Sequence, residues 1–109
     1  MADIISENTD RLFDAILSLK NREECYMFFE DVCTIKEIKD MSQRFEAAEL
    51  LASGESYLSV AEKVGISSAT ISRVSRCLNY GSGGYGLAIK NLAKEDGQGQ
   101  RPMTEVTGL

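Results

Sequence analysis

The stretch VAEKVGISSATISRVSRCL, Val60 to Leu78, constrains the fold more than any other part of the chain. Two helix-length pieces meet at Gly65. Each has apolar residues at spacings of three and four, the period of one helix face. Val60, Val64, Ile71 and Val74 make a single apolar seam across the break, and Leu78 extends it. Ala61 is small enough for the second helix to cross close to the first. Gly65 reaches positive φ without steric cost, Ile66 plugs the space under the turn, and Ser67 offers the oxygen that caps the second helix. This is a helix-turn-helix arrangement, expected over about residues 56–78.

Burying the seam fixes the opposite face. Ser67, Ser68, Ala69, Ser72, Arg73 and Arg76 then point outward. That face carries hydroxyls and two guanidinium groups and no carboxylate. Small residues at its start let backbone approach closely, and a helix N-terminus presents free amides to phosphate. Such a face suits a helix that reads the major groove of double-stranded DNA. An αα-hairpin packed only on itself would account for the seam but not for the acid-free outer surface.

The remaining apolar periodicity is helical as well. SENTDRLFDAILSLK has a cap at Ser6 and apolar Leu12, Phe13, Ile16, Leu17 and Leu19. After a break at Asn21-Arg22, REECYMFFEDVC places Cys25, Phe28, Phe29 and Val32 on one face, widened by Tyr26 and Met27. A band this wide on a short helix asks for more than one neighbour. Thr34 and Glu37 have the spacing of a capping box, in which each side chain accepts from the other's amide. The helix that follows sets Ile38, Met41, Phe45, Ala48 and Leu51 on one side and ends at Gly54 in a left-handed cap. Ser56 caps the next. The run Gly81 to Gly86 breaks the pattern, and LAIKNLAKED forms a last short helix. No strand-like alternation and no repeat occurs. The expectation is an all-α domain of five or six helices over 1–96, with a flexible tail over 97–109.

Charge and reactive residues narrow the function. The net charge is −5, unevenly spread: residues 1–55 hold 13 acids and 6 bases, residues 56–109 hold 4 acids and 6 bases. Between Val64 and Gly86 the only charged residues are Arg73 and Arg76. An acidic body with one basic surface still docks phosphate, and the asymmetry sets its orientation. With no His and three scattered cysteines, Cys25, Cys33 and Cys77, neither a metal site nor a His-activated nucleophile is expected. The cysteines read as small core hydrophobes. We expect no cofactor and no enzymatic activity. The polar start and the lack of a long uncharged run point to a soluble cytoplasmic protein without membrane association.

Cys33 to Gly86, about half of the chain, resembles the Trp-repressor superfamily and, within it, the YerC/YecD branch. The ATISR string, the helix ending LLASGES and the terminator NYGSGGYG carry the likeness. The resemblance implies a six-helix fold and an intertwined homodimer, the first three helices and the last packing on the second chain. It also implies two reading helices about 34 Å apart in successive major grooves and a palindromic operator. Ser68, Ala69 and Ser72 match positions that contact DNA in that family, whereas Tyr57, Leu58 and Ala61 replace polar or basic side chains. Thr34, Arg44 and Arg73 match positions around a bound tryptophan. Val74 stands where the tryptophan-dependent repressor has glycine, and Cys77 replaces a serine that helps hold the amino acid. A branched side chain crowds a flat ring, so tryptophan is not expected as a ligand.

The reading is a homodimeric, sequence-specific DNA-binding regulator, a repressor. Arg76 contacts phosphate, and Arg73 phosphate or an effector. A helical protein-interaction module without DNA binding is the alternative, favoured by the acidic balance. Met27 and Met41 read as core fillers, and Tyr57 and Tyr80 as boundary packing, with contact to a sugar–phosphate backbone the other possibility.

Overall fold

The computed structural model describes residues 2–97. After a single 3-10 turn at Ala2–Ile4 come six α-helices: α1 (Glu7–Leu17), α2 (Arg22–Val32), α3 (Ile35–Ala52), α4 (Tyr57–Val64), α5 (Ser68–Tyr80) and α6 (Gly84–Gly97). No strand occurs among the described residues, and none of their helices is long and apolar enough to cross a membrane. The tail expected beyond the last helix lies, from residue 98 onward, outside the described residues. The chain divides into two compact units, Met1–Ser42 and Gln43–Leu109, the boundary falling inside α3.

In the first unit, side chains cap each helix start. Ser6 Oγ accepts from the Thr9 amide at 3.1 Å, and Asn21 Oδ1 from the Glu24 amide at 2.9 Å. Thr34 and Glu37 form the expected capping box: the Glu37 amide donates to Thr34 Oγ1 at 3.0 Å, and the Thr34 amide to Glu37 Oε1 at 2.8 Å. Each bond satisfies a donor that the helix itself leaves unpaired. No residue of α1 or α2 is buried. Leu17 is 81% exposed, and Tyr26, Met27 and Val32 are also exposed. The wide apolar band of α2 therefore keeps its uncovered surface, and Met27 does not fill a core within the chain. Phe28 and Phe29 meet edge to face with centroids 5.4 Å apart.

The second unit holds the buried core. Ala47 and Ala48 of α3, Val60 of α4, and Ile71 and Val74 of α5 are all at 0–1% exposure. Leu50, Leu51, Ala61, Val64, Ile66, Tyr85 and Ile89 pack around them. The paired alanines of α3 share one core cluster with Val60, Ile71 and Val74, while the closest helix approaches in this unit are α4 with α5 and α5 with α6. At the end of α3 the Gly54 amide donates to the Leu51 carbonyl and the Glu55 amide to the Leu50 carbonyl, the two bonds of a Schellman cap. Ser56 Oγ then caps α4 by accepting from the Ser59 amide at 3.1 Å.

Two further details differ from the sequence expectation. α6 begins at Gly84, inside the glycine run, rather than after it. Tyr85 and Ile89 pack against the core, and burial of an apolar face outweighs the roughly 1 kcal/mol that a helical glycine costs. Cys77 is exposed and Cys25 and Cys33 only half-buried, so none is a core residue.

Candidate nucleic-acid interface

The turn between α4 and α5 has the geometry the sequence demands. Gly65 lies at φ +79°, a left-handed conformation, and its amide donates to the Ala61 carbonyl at 2.9 Å. An L-residue there would bring its Cβ against the following carbonyl oxygen. Ile66 packs half-buried under the turn. Ser67 is the N-cap of α5 and accepts from the Thr70 amide at 3.2 Å. Each local requirement of a tight two-helix junction is thus met by the residue that occupies the position.

With Ile71 and Val74 held in the core, the outer face follows. Ser67, Ser68, Ala69, Ser72, Arg73 and Arg76 are all exposed. From Ser68 to Arg76 the face runs about 12 Å along the helix axis. None of Arg44, Arg73 and Arg76 has an ion-pair partner among the described residues. Lysines instead make the surface ion pairs Lys36 with Asp40 at 2.8 Å and Lys63 with Glu55 at 2.9 Å. The guanidinium groups on α5 therefore keep their charge and five N–H donors each for an external anion.

The two arginines of α5 face different hollows, a division the sequence did not reveal. Arg76 opens on a shallow trough of about 680 Å³, which it lines with Tyr57, Ser72, Ser75, Asn79 and Tyr80. Arg73 joins Arg44, Val74, Cys77 and Tyr85 around a separate hollow of about 260 Å³. Residues three apart on a helix are neighbours on its surface, so the separation comes from what surrounds each arginine and not from their spacing. Thr34, grouped with Arg44 and Arg73 by sequence, belongs to the first unit, where it caps α3. Tyr85, which sequence reading did not assign to the hollow, stacks at a tilt on Phe45 with centroids 6.4 Å apart.

The trough has a fixed floor. Ser75 is 8% exposed, and its Oγ accepts from the Tyr57 hydroxyl at 2.7 Å. Asn79 Nδ2 donates to the Ser75 carbonyl at 3.0 Å. Sequence reading missed Ser75 and Asn79. Ser72, Ser75, Arg76 and Asn79 follow the three–four spacing of one flank, so that period was the available signal.

On the far side of the junction, Glu55 accepts from Ser59 Oγ and pairs with Lys63. These contacts hold its carboxyl below the usual carboxylate range, the Ser59 hydrogen bond contributing most. Glu49 is shifted upward, first by burial and then by the like charges of Glu46 and Asp96. Neither group lies among the outward residues of α5, which stay free of acid.

Comparison with known proteins agrees with this architecture. The Trp repressor protein family model matches residues 7–93. The uncharacterized protein YerC of Bacillus subtilis (strain 168) is 49% identical over 87 residues, covering 80% of this chain and 84% of the relative. The crystal structure of a TrpR-like protein from Eubacterium eligens ATCC 27750 superposes with a TM-score of 0.82 at 52% identity, covering 85% of this chain and 96% of that one. A Staphylococcus aureus protein proposed to be a Trp repressor gives a TM-score of 0.81 at 42% identity, with 84% and 92% covered. Six helices in this order, matched along nearly the whole described chain, place the protein in the Trp repressor family.

Proposed function

We propose that this chain is a sequence-specific, DNA-binding transcriptional regulator that acts in the cytoplasm as a repressor and reads a palindromic operator as a homodimer. The exposed, acid-free outer face of α5, set on a buried seam, carries the reading. Ser67, Ser68, Ala69 and Ser72 approach base edges, while Arg73 and Arg76 meet phosphates. Hydroxyl and methyl contacts discriminate weakly among bases, so bridging water and DNA shape supply much of the specificity. The role is one of binding, with no catalytic step assigned to any residue.

A homodimer is supported by what the first unit leaves uncovered. Leu12, Phe13, Leu17, Tyr26, Met27 and Val32 are exposed. Covering apolar surface yields about 25 cal/mol per Å², and a second copy offers the same surface in two-fold register. Sedimentation equilibrium at micromolar concentration tests this: a monomer at all concentrations would remove the dimer.

The hollow beside Arg44 and Arg73 is the candidate effector site; Thr34, which the resemblance groups with them, lies in the other unit and is not assigned to it. Val74 and Cys77 line it, at the positions where the resemblance gives the tryptophan-dependent repressor a glycine and a serine. We therefore assign it no tryptophan. Selection of bound sites from random duplexes, run with and without tryptophan, tests operator, symmetry and ligand dependence together. A recovered palindrome independent of tryptophan is expected. Absence of any retained duplex at low salt would instead favour a protein-interaction module, for which Leu58, 71% exposed on α4, is the relevant surface.

A further inference from the structure

We propose that Tyr57, Arg76 and Tyr80 form a clamp for the sugar–phosphate backbone of one DNA strand, alongside the base-reading face of α5. This rests on the DNA-binding reading above and adds Tyr57 and Tyr80 to the Arg76–phosphate contact of that reading. The three residues line one open trough with Ser72, Ser75 and Asn79, and no carboxylate enters it. Its one charge is the Arg76 guanidinium, which has no ion-pair partner among the described residues.

The hydrogen-bond accounting assigns the roles. The Tyr57 hydroxyl donates to Ser75 Oγ at 2.7 Å. Its proton is therefore committed, and Tyr57 is not the donor to a phosphate. The Asn79 amide is likewise turned to Ser75, at 3.0 Å from the carbonyl and 3.4 Å from Oγ. Arg76 and the Ser72 hydroxyl remain as donors to an anionic oxygen. The hydrogen bond of Tyr57 holds its ring at the trough while the residue stays 48% exposed. Its rotamer freedom is already spent on folding, so a partner gains a preset apolar surface.

Tyr80 follows Arg76 by one helical turn and therefore lies on the same flank, about 6 Å along the axis. At 87% exposure its ring covers no core surface. A guanidinium that shares one trough with two aromatic side chains suits an occupant that carries an anion with apolar edges beside it. One strand of a duplex repeats that pattern, with phosphate flanked by the C–H edges of deoxyribose on each side. An acidic peptide would place its charge at the end of a flexible side chain, with polar backbone rather than apolar ring edges against the tyrosines.

The test uses the full chain and a labelled mixed-sequence 30-base-pair duplex, titrated across a salt series. Tyr80→Ala is expected to weaken binding about tenfold while leaving the salt slope unchanged, because the ring contributes contact and no charge. Tyr80→Phe should bind as the unmodified protein does, because the ring and not its hydroxyl makes the contact. Arg76→Ala should reduce the slope by about one. Circular dichroism confirms folding, and Tyr80, being almost fully exposed, is the position least coupled to it. If the unmodified chain binds and Tyr80→Ala matches it within twofold, the clamp is overturned and the DNA-binding reading stands. If the unmodified chain retains no duplex even at low salt, both are overturned.

Discussion

The phenol of Tyr57 donates to the hydroxyl of Ser75 at 2.7 Å, joining the first turn of α4 to the middle of α5 across eighteen residues of sequence. The bond lies at the edge of the apolar seam, where a buried hydroxyl without a partner would be costly. Tyr57→Phe removes the donor and keeps the ring. It should lower stability by about 0.5–1.5 kcal/mol, read as a shift in the urea midpoint with an unchanged slope. No shift would mean that the bond is not formed in solution.

Ile71 is fully buried, whereas Leu58, on the neighbouring helix, is 71% exposed. Ile71→Ala should cost about 2–5 kcal/mol through lost burial and a residual cavity. Leu58→Ala should stay within about 0.5 kcal/mol. The same pair of denaturation curves decides both. Equal losses would show that the face assigned to solvent is covered.

Gly65 and Gly81 are required for different reasons, and alanine should separate them. At Gly65 a Cβ meets nothing within 4 Å beyond its own residue and its chain neighbours, so only the left-handed backbone resists it. The expected cost is about 1–2 kcal/mol. At Gly81 a Cβ would lie 2.5 Å from the Cys77 carbonyl oxygen. That atom is helix backbone and cannot rotate away. Gly81→Ala should therefore lose more than Gly65→Ala, measured by thermal melting, and should loosen α6 as judged by amide hydrogen exchange.

Glu55 and Glu49 should give opposite acid responses. The Glu55 carboxyl is held below its ordinary 4.5, chiefly by Ser59 and then by Lys63. Its contribution is present above that value and is lost as pH falls through the folded-state value. Glu55→Gln should thus be less stable than the unmodified chain at pH 7, with the gap closing as pH falls below 4.5. Glu49 is raised above 4.5 by burial and by Glu46 and Asp96. Its ionised form is disfavoured in the folded chain, so Glu49→Gln should melt slightly higher at pH 7 and lose that advantage on acidification. Melting temperatures across pH 3 to 7 for the two variants provide the check.

Much of the local structure was legible because it depends on neighbours in sequence. The Thr34–Glu37 capping box, the caps at Ser6, Ser56 and Ser67, and the left-handed Gly65 each follow from residues within four positions of one another. The seam of Val60, Ile71 and Val74 was readable from its period. Less readable were contacts set by how helices meet. Ala47 escaped notice as a core residue because a small side chain leaves little trace in an apolar pattern, yet it is fully buried beside Ala48. Tyr85 was hidden in a glycine run whose low helix propensity argued against α6 starting there.

From the sequence alone came an all-α chain, a glycine junction and an outward face of serines and arginines, because helix period and capping chemistry are local. Only the folded chain separated Arg73 from Arg76 and gave each its own hollow. It also tied Tyr57 to Ser75. Those relationships arise where side chains from distant positions compete for the same space, and no spacing rule along a single helix encodes the outcome.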